Sequence, residues 1–323
     1  MLRERPTAGS ATSCISVVQH RPSSLALFIL GPVIAFGCAS TQLRAASSPE
    51  AFVVGSVHRY HLDASSRYSL TDLDVQLTQM RPDLLCGEIT PEHLGTQWEG
   101  YYPPEVALVQ DVAARLGIPF VAADWRGDSE EARKAEESMA PEAKKRYSTA
   151  HEPLLARWKE RREESLFDFI HGEEAQRLIR QAHDVRLASG GEAADGFWLT
   201  RNRRIVERCM AEASWRHSRR IVFVFGGEHK YAIEDELWKQ HGLRAAEVRR
   251  QFVPATNELS EAVISRWKDR RTALARLADT GSNAEVREKV LGSHRLEELD
   301  LFIESKGKAC HRDDDKLVPS GPR

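Results

Sequence analysis

The chain has 323 residues, a formal net charge of −2 and 29% charged residues. No basic excess marks it for nucleic acid, and the length can bury a sizeable core in one large domain or two small ones. The five cysteines (Cys14, Cys38, Cys86, Cys209 and Cys310) are odd in number and form no Cys-x-x-Cys pair, which argues against a disulfide framework and a cysteine-built zinc site.

Leu25 to Gly37 is apolar and uncharged. At about 13 residues it is too short to span a bilayer, which takes roughly 20, but it has the length of a signal-peptide apolar region. The following Ala35-Phe36-Gly37-Cys38 resembles a bacterial lipobox, in which the cysteine becomes the lipidated first residue. The expectation is a signal segment over 1–37, a tether over 38–50, and a bacterial cell-envelope location at the outer membrane or periplasmic face. An ordinary cleaved signal and an uncleaved anchor remain as alternatives. Cys86, Cys209 and Cys310 would then be buried or unpaired.

An α/β domain is expected over 51–253. Ala51 to Val54 reads as a first buried strand and runs into Gly55-Ser56-Val57-His58. Leu70 to Met80 has helical spacing, with Leu70, Leu73, Leu77 and Met80 on one face, and Pro82 ends it. Leu84-Leu85-Cys86 is a second apolar run, stopping at Gly87-Glu88. Pro103 and Pro104 open a helix with Val106, Val109, Val112, Ala113 and Leu116 as its stripe and Gly117 as its stop. Ile118 to Ala123 reads as a third strand that ends in Asp124-Trp125-Arg126. This alternation predicts an α/β fold with a mostly parallel central sheet flanked by helices.

Residues 128–187 are dense in Glu, Lys and Arg, with spaced apolar residues such as Leu154, Trp158, Leu166, Phe169 and Ile170. They read as a helical insertion or lid, with a solvated helical pair as the plainer alternative. Ala188 to Gly196 is small and reads as a flexible connector. Phe197 to Ser218 reads as a helix whose inward rows are Ile205–Cys209–Ala213 and Val206–Met210. One turn back, Arg201 and Asn202 continue those rows, while Arg204 and Arg208 lie on other faces. Ile221 to Phe225 reads as a fourth strand, ending in Gly226-Gly227-Glu228-His229. A helix over Ile233–His241 and a last strand over Ala246–Val253 are expected next. C-terminal helices over 254–304 and a disordered tail over 305–323 follow.

Four strands thus end at His58, Glu88, Asp124 and Glu228-His229. In open parallel sheets the ligand site lies beyond the strands' carboxyl ends. His58, Glu88, His229 and Asp124 there would suit a divalent metal, with manganese, cobalt or zinc as the choices. The same imidazoles and carboxylates would suit metal-free acid–base hydrolysis. Arg201, held by Asn202, would stabilise an oxyanion. Each residue alone has a structural explanation: Glu88 as a helix cap, Asp124 as a turn cap, Arg201 as an ion-pair partner. The repetition of strand plus Gly-x-x-His is a stronger signal than any one of them.

Four motifs occur in a set order: Gly55-Ser56-Val57-His58, the run Arg81 to Glu88, Arg201-Asn202, and Gly226-Gly227-Glu228-His229. Their order resembles the TraB/PrgY/GumN and Tiki group, linked to ChaN-like and erythromycin-esterase-like proteins. The likeness covers roughly 51–241, with the charged insertion as a departure. It implies a shared α/β fold and a site built from both histidines, Glu88 and Arg201. It also implies either metal-dependent proteolysis, metal-free ester hydrolysis with a histidine base, or haem binding. In the haem alternative His58, Tyr60, His61 or His229 would face the iron. The expected partners are a peptide or small-molecule substrate and the membrane, through lipidated Cys38. A homodimer is left open and nucleic acid is not expected.

Overall fold

The computed structural model describes residues 48–161, 163–248, 258–280 and 284–309. The expected signal segment and Cys38, most of the tether, residues 249–257 and the tail beyond 309 lie outside them. No helix among the described residues is long and apolar enough to cross a membrane.

Four strands form one sheet: β1 (Glu50–Ser56), β2 (Leu84–Gly87), β3 (Phe120–Ala122) and β4 (Arg220–Gly226). Their order is β1-β4-β2-β3 and every pairing is parallel. The register sets Ser56 beside Gly226 and Leu84 beside Ile221. The strands read as unbroken apolar runs because both faces are covered. Phe52, Val54, Leu85, Val222 and Val224 face one core; Ala51, Val53, Leu84, Cys86, Ile221, Phe223 and Phe225 face the other.

The first core is covered by α1 (Leu70–Met80) and α2 (Glu105–Leu116). A capping box starts α1: the Ser69 hydroxyl accepts from the Asp72 N–H, and the Asp72 carboxylate accepts from the Ser69 N–H. Gly117, at φ 65°, ends α2 in the left-handed conformation its stop requires. Three C-terminal helices share this core: α10 (Glu261–Thr280), α11 (Ala284–Gly292) and α12 (Arg295–Ser305). Fully buried Trp267 donates to the Pro104 carbonyl, so these helices are built into the domain.

The second core is covered by α8 (Trp198–Arg216) and α9 (His229–His241). Ile205, Cys209, Ala213, Val206 and Met210 all face it, as their spacing predicts. Here three expectations fail. Cys86 and Cys209 are buried but not unpaired: they form a disulfide that ties β2 to α8. The helix expected at Ile233 starts one turn earlier, at His229. The expected strand from Ala246 contributes a single bridge, Ala246 to Phe52 on the edge of β1; Glu247 and Val248 are not strand, and the rest lies outside the described residues.

The charged segment folds as α3 (Ser129–Ser138), α4 (Pro141–Thr149), α5 (Glu152–Glu160), α6 (Leu166–His171) and α7 (Glu173–Ala194). The flexible connector expected at 188–196 is instead helical through Ala194, with one break at Gly191 (φ 75°, ψ 179°). Tertiary contact overrides composition there: a side chain at Gly190 would meet Met139, and the Tyr147 hydroxyl donates to the Ala194 carbonyl.

Candidate active site at the sheet edge

The strand β1 ends at Ser56, and His58 follows two residues on as the first residue of a short 3-10 helix, His58–Leu62. His58 sits at φ 51°, unusual for a residue with a side chain. Its Nδ1 lies 2.6 Å from Glu105 Oε1, and its Nε2 faces Glu88 Oε2 at 4.0 Å. Glu105 is the first residue of α2, where the helix dipole favours a carboxylate. It is buried, and the Ser56 hydroxyl donates to the same Oε1. Burial acts against the charge on both groups, but their attraction prevails. His58, with 35% of its side chain still open to solvent, is lifted to about 9 by Glu105 and Glu88. Glu105 is held down at about 2, chiefly by His58. His58 is therefore an imidazolium at neutral pH.

Glu88 follows β2 and is buried. Its Oε2 accepts from the Gly226 N–H at 2.7 Å, and its Oε1 accepts from Arg201 Nη2 at 3.2 Å. Burial is outweighed by the positive charges of His58 and Arg201, which hold the carboxyl below its usual range. Gly226 is needed where it stands, because a β-carbon there would lie 2.7 Å from His58 Nε2.

Arg201 lies on the inward row of α8, as its spacing from Ile205 predicts. Asn202 does not hold it; Asp124 does. Arg201 donates from Nε (2.7 Å) and Nη2 (3.0 Å) to the two oxygens of Asp124. The Trp125 N–H and Arg126 Nε also donate to that fully buried carboxylate. Asp124, expected among metal ligands, is thus occupied in fixing Arg201. Arg208, whose spacing sets it on another face, reaches the Asp124 carbonyl with Nη1 at 2.5 Å.

Asn202 instead orients His229. Its Nδ2 donates to the Trp198 carbonyl at 2.8 Å, so its Oδ1 is the atom 2.7 Å from His229 Nδ1. A carbonyl-type oxygen only accepts, so the proton of His229 sits on Nδ1 and Nε2 carries the lone pair. The ring is buried and stacked on Trp198 at 4.4 Å. Burial first, and Arg201 second, push it well below its ordinary value, leaving it neutral at pH 7.

Two imidazoles and a carboxylate are the right donors for a divalent ion, but these three do not fit one as placed. Among the described residues, the set whose ligand atoms all lie within 4.8 Å is His151, His183 and Glu228, not His58, Glu88 and His229. Arg201 on Glu88 also brings positive charge where the ion would sit. Of the residues expected to face haem iron, His61 has both ring nitrogens engaged. His61 is fully buried, with Nδ1 donating to the Tyr68 carbonyl (2.9 Å) and Nε2 facing Ser56 Oγ (3.0 Å). Burial pulls it down to about 4, so it is a neutral structural ring. Tyr60 lays its ring against Trp158, 5.1 Å away.

The insertion closes over this edge. Ile170 of α6 packs where β-carbons at Gly55 and Gly227 would be, and His171 Nε2 accepts from the Gly55 N–H at 3.2 Å. Gln176 of α7 donates to the Gly227 carbonyl and accepts from the Tyr231 N–H. The insertion thus packs against the turns after β1 and β4 through α6 and α7, while α3 has no buried residue.

Sequence reasoning missed Glu105 and Arg295. Glu105 continues the apolar row Val109–Val112–Leu116 back by one turn, a detectable sign that it points inward. Arg295, ion-paired with Glu298, also has its charge stabilised by Glu105 and Glu88, and no spacing relates it to those two. No protein-family model, curated protein or solved structure matches the chain.

Proposed function

We propose that this protein is a hydrolase of ester or peptide bonds that works through two histidines of opposite charge, without a metal at the sheet edge. The observation that carries the reading is a pair of dyads, the part-buried Glu105–His58 and the buried Asn202–His229. A carboxylate partner favours the imidazolium; an amide partner leaves the ring neutral. Environments that push two groups apart in this way assign an acid and a base.

The chemistry follows from the atoms. His229 Nε2 takes a proton from water as the water oxygen bonds to the substrate carbonyl carbon, and the C=O electron pair moves onto oxygen. The Arg201 guanidinium faces that oxyanion. The intermediate collapses by breaking the C–O or C–N bond. The departing alkoxide or amine takes the proton of His58, which is restored by the proton gained at His229. Water and ester (or amide) become acid and alcohol (or amine).

The ordered motifs favour membership of the TraB/PrgY/GumN–Tiki group, and the base-dependent relatives fit this donor set better than the metal-dependent ones. The buried Cys86–Cys209 disulfide favours an exported protein, because such bonds persist in oxidising compartments. That agrees with a lipid-anchored envelope location through Cys38.

The test is hydrolysis of p-nitrophenyl acetate and of a fluorogenic peptide mixture by the full chain. The expected result is turnover by wild type, with kcat/KM reduced about 10²–10⁴-fold in His229→Ala and in His58→Ala, at undiminished helical content. Wild-type rates in either variant, or no turnover of any ester or peptide by the folded protein, would contradict it.

A further inference from the structure

Beside the sheet-edge site lies a second cluster with no part in that chemistry. It joins the charged insertion to the turn after β4. His151 stands at the start of α5, His183 midway along α7, and Glu228 just ahead of α9. His151 Nε2 is 4.0 Å from Glu228 Oε1, and His183 Nε2 is 3.8 Å from Glu228 Oε2. Both imidazole Nε2 atoms are buried, and neither has a hydrogen-bond partner among the described residues. Two buried, unpartnered nitrogens facing one carboxylate are costly unless something satisfies them.

The surroundings are those of a ligand set. Asp195 Oδ2 lies 2.9 Å from His183 Nδ1, so that nitrogen carries a proton and Nε2 is the atom turned to the cluster, where an ion would take the place of any proton on it. A carboxylate behind a histidine is how metal-bound imidazoles are commonly oriented and made more basic. The chain makes a special effort to place Asp195 there. Twelve residues of straight helix would carry it about 18 Å from His183. The break at Gly191 folds the end of α7 back, so that the carboxylate meets the ring. Arg186 Nε lies 3.1 Å from the other Asp195 oxygen. His183 also stacks on Trp198 at 3.8 Å and 7°, which fixes the ring plane.

We propose that His151, His183 and Glu228 bind a divalent transition-metal ion of the zinc or cobalt class, with Asp195 orienting His183. Two imidazole nitrogens and a carboxylate oxygen are the donor set such ions prefer, with bonds of about 2.0–2.2 Å and a fourth position left for water. All three ligand atoms already lie within 4.8 Å of one another, and a tetrahedral ion needs them roughly 3.3 Å apart. Glu228 is half-exposed and free to close that gap. The ion would fasten α5 and α7 onto the Gly-Gly-Glu-His turn and hold the lid over the sheet edge. It stands independently of the hydrolase reading, and Trp198, stacked between His183 and His229, separates the two sites.

The experiment is titration of the metal-stripped full chain with cobalt(II) alone, followed by visible absorption, with zinc content after dialysis measured by elemental analysis. The expected result is roughly one equivalent bound with the visible bands of a four-coordinate cobalt site. Zinc should displace it and raise the Tm. Glu228→Gln, at a half-exposed position that leaves folding intact, and His183→Ala should each abolish binding, while His229→Ala keeps it. No stoichiometric binding to folded wild type, or binding retained in both Glu228→Gln and His183→Ala, would overturn the site. Binding lost in His229→Ala but kept in Glu228→Gln would also overturn it, by placing the ion at the sheet edge.

Discussion

Gly226→Ala adds one carbon at the centre of the sheet-edge site. That carbon would lie 2.7 Å from His58 Nε2, 3.1 Å from Cε1 and 3.5 Å from Glu88 Oε2. Ordinary contact begins near 3.4 Å, so the imidazole must withdraw by about 0.7 Å. The backbone gives no reason for alanine to be rejected, since Gly226 does not have positive φ. The cost falls on the ring, which is pinned by its 2.6 Å contact with buried Glu105. Overpacking of this size costs about 1–3 kcal/mol, and displacing a reacting group by about 1 Å costs up to about 10²-fold in rate. Gly226→Ala should therefore remain folded, with kcat/KM on p-nitrophenyl acetate reduced about 10–100-fold. NMR titration should show His58 moved down from about 9 as it separates from its carboxylates. A variant with wild-type kcat/KM and His58 still titrating at about 9 would refute the placement of His58 at the reacting centre.

Other perturbations follow from the same geometry. Asn202→Asp sets a carboxylate against His229 Nδ1, which should raise that ring and move the acid limb of the pH–rate profile up with it; an unmoved limb would exclude His229 as the base. His58 is raised from 6.5 to about 9 on folding, so its stabilisation is complete below pH 6.5 and lost as pH rises through about 9. Tm should fall across that window in wild type and fall less in Glu105→Gln; parallel curves would contradict the ion pair. The Cys86–Cys209 disulfide closes a loop of 123 residues, so Cys86→Ser with Cys209→Ser should cost about 3–5 kcal/mol by urea unfolding. An unchanged urea midpoint would show that the thiols are not joined.

What the sequence revealed followed from burial. The strands were legible because both of their faces are covered, so apolar residues run without a break and glycines mark the edge. Arg201 and Asn202 were placed on the inner face of α8 because Ile205 and Val206 lie one turn ahead on the same rows. Their partners were not legible. Nothing in the spacing says that Asp124 takes the arginine, or that Asn202 turns to His229, because both contacts join residues brought together only by the sheet order. The disulfide was hidden for the same reason: 123 positions separate two cysteines that meet where a strand packs on a helix. The Ser-Gly-Gly run at 189–191 misled in the other direction. Composition says connector, but contact with Met139 and Tyr147 keeps the helix and leaves one turning point, at Gly191.

The opposed charge states of His58 and His229 are tested most directly by nitrogen-15 NMR of the two imidazoles in the folded protein, titrated from pH 5 to 10 and assigned with His58→Ala and His229→Ala. The prediction is that His58 is an imidazolium at pH 7 and loses its proton near 9, while His229 at pH 7 is neutral with its hydrogen on Nδ1. Two rings in the same charge state at pH 7, or a neutral His229 with its hydrogen on Nε2, would contradict the acid–base assignment and with it the proposed hydrolysis.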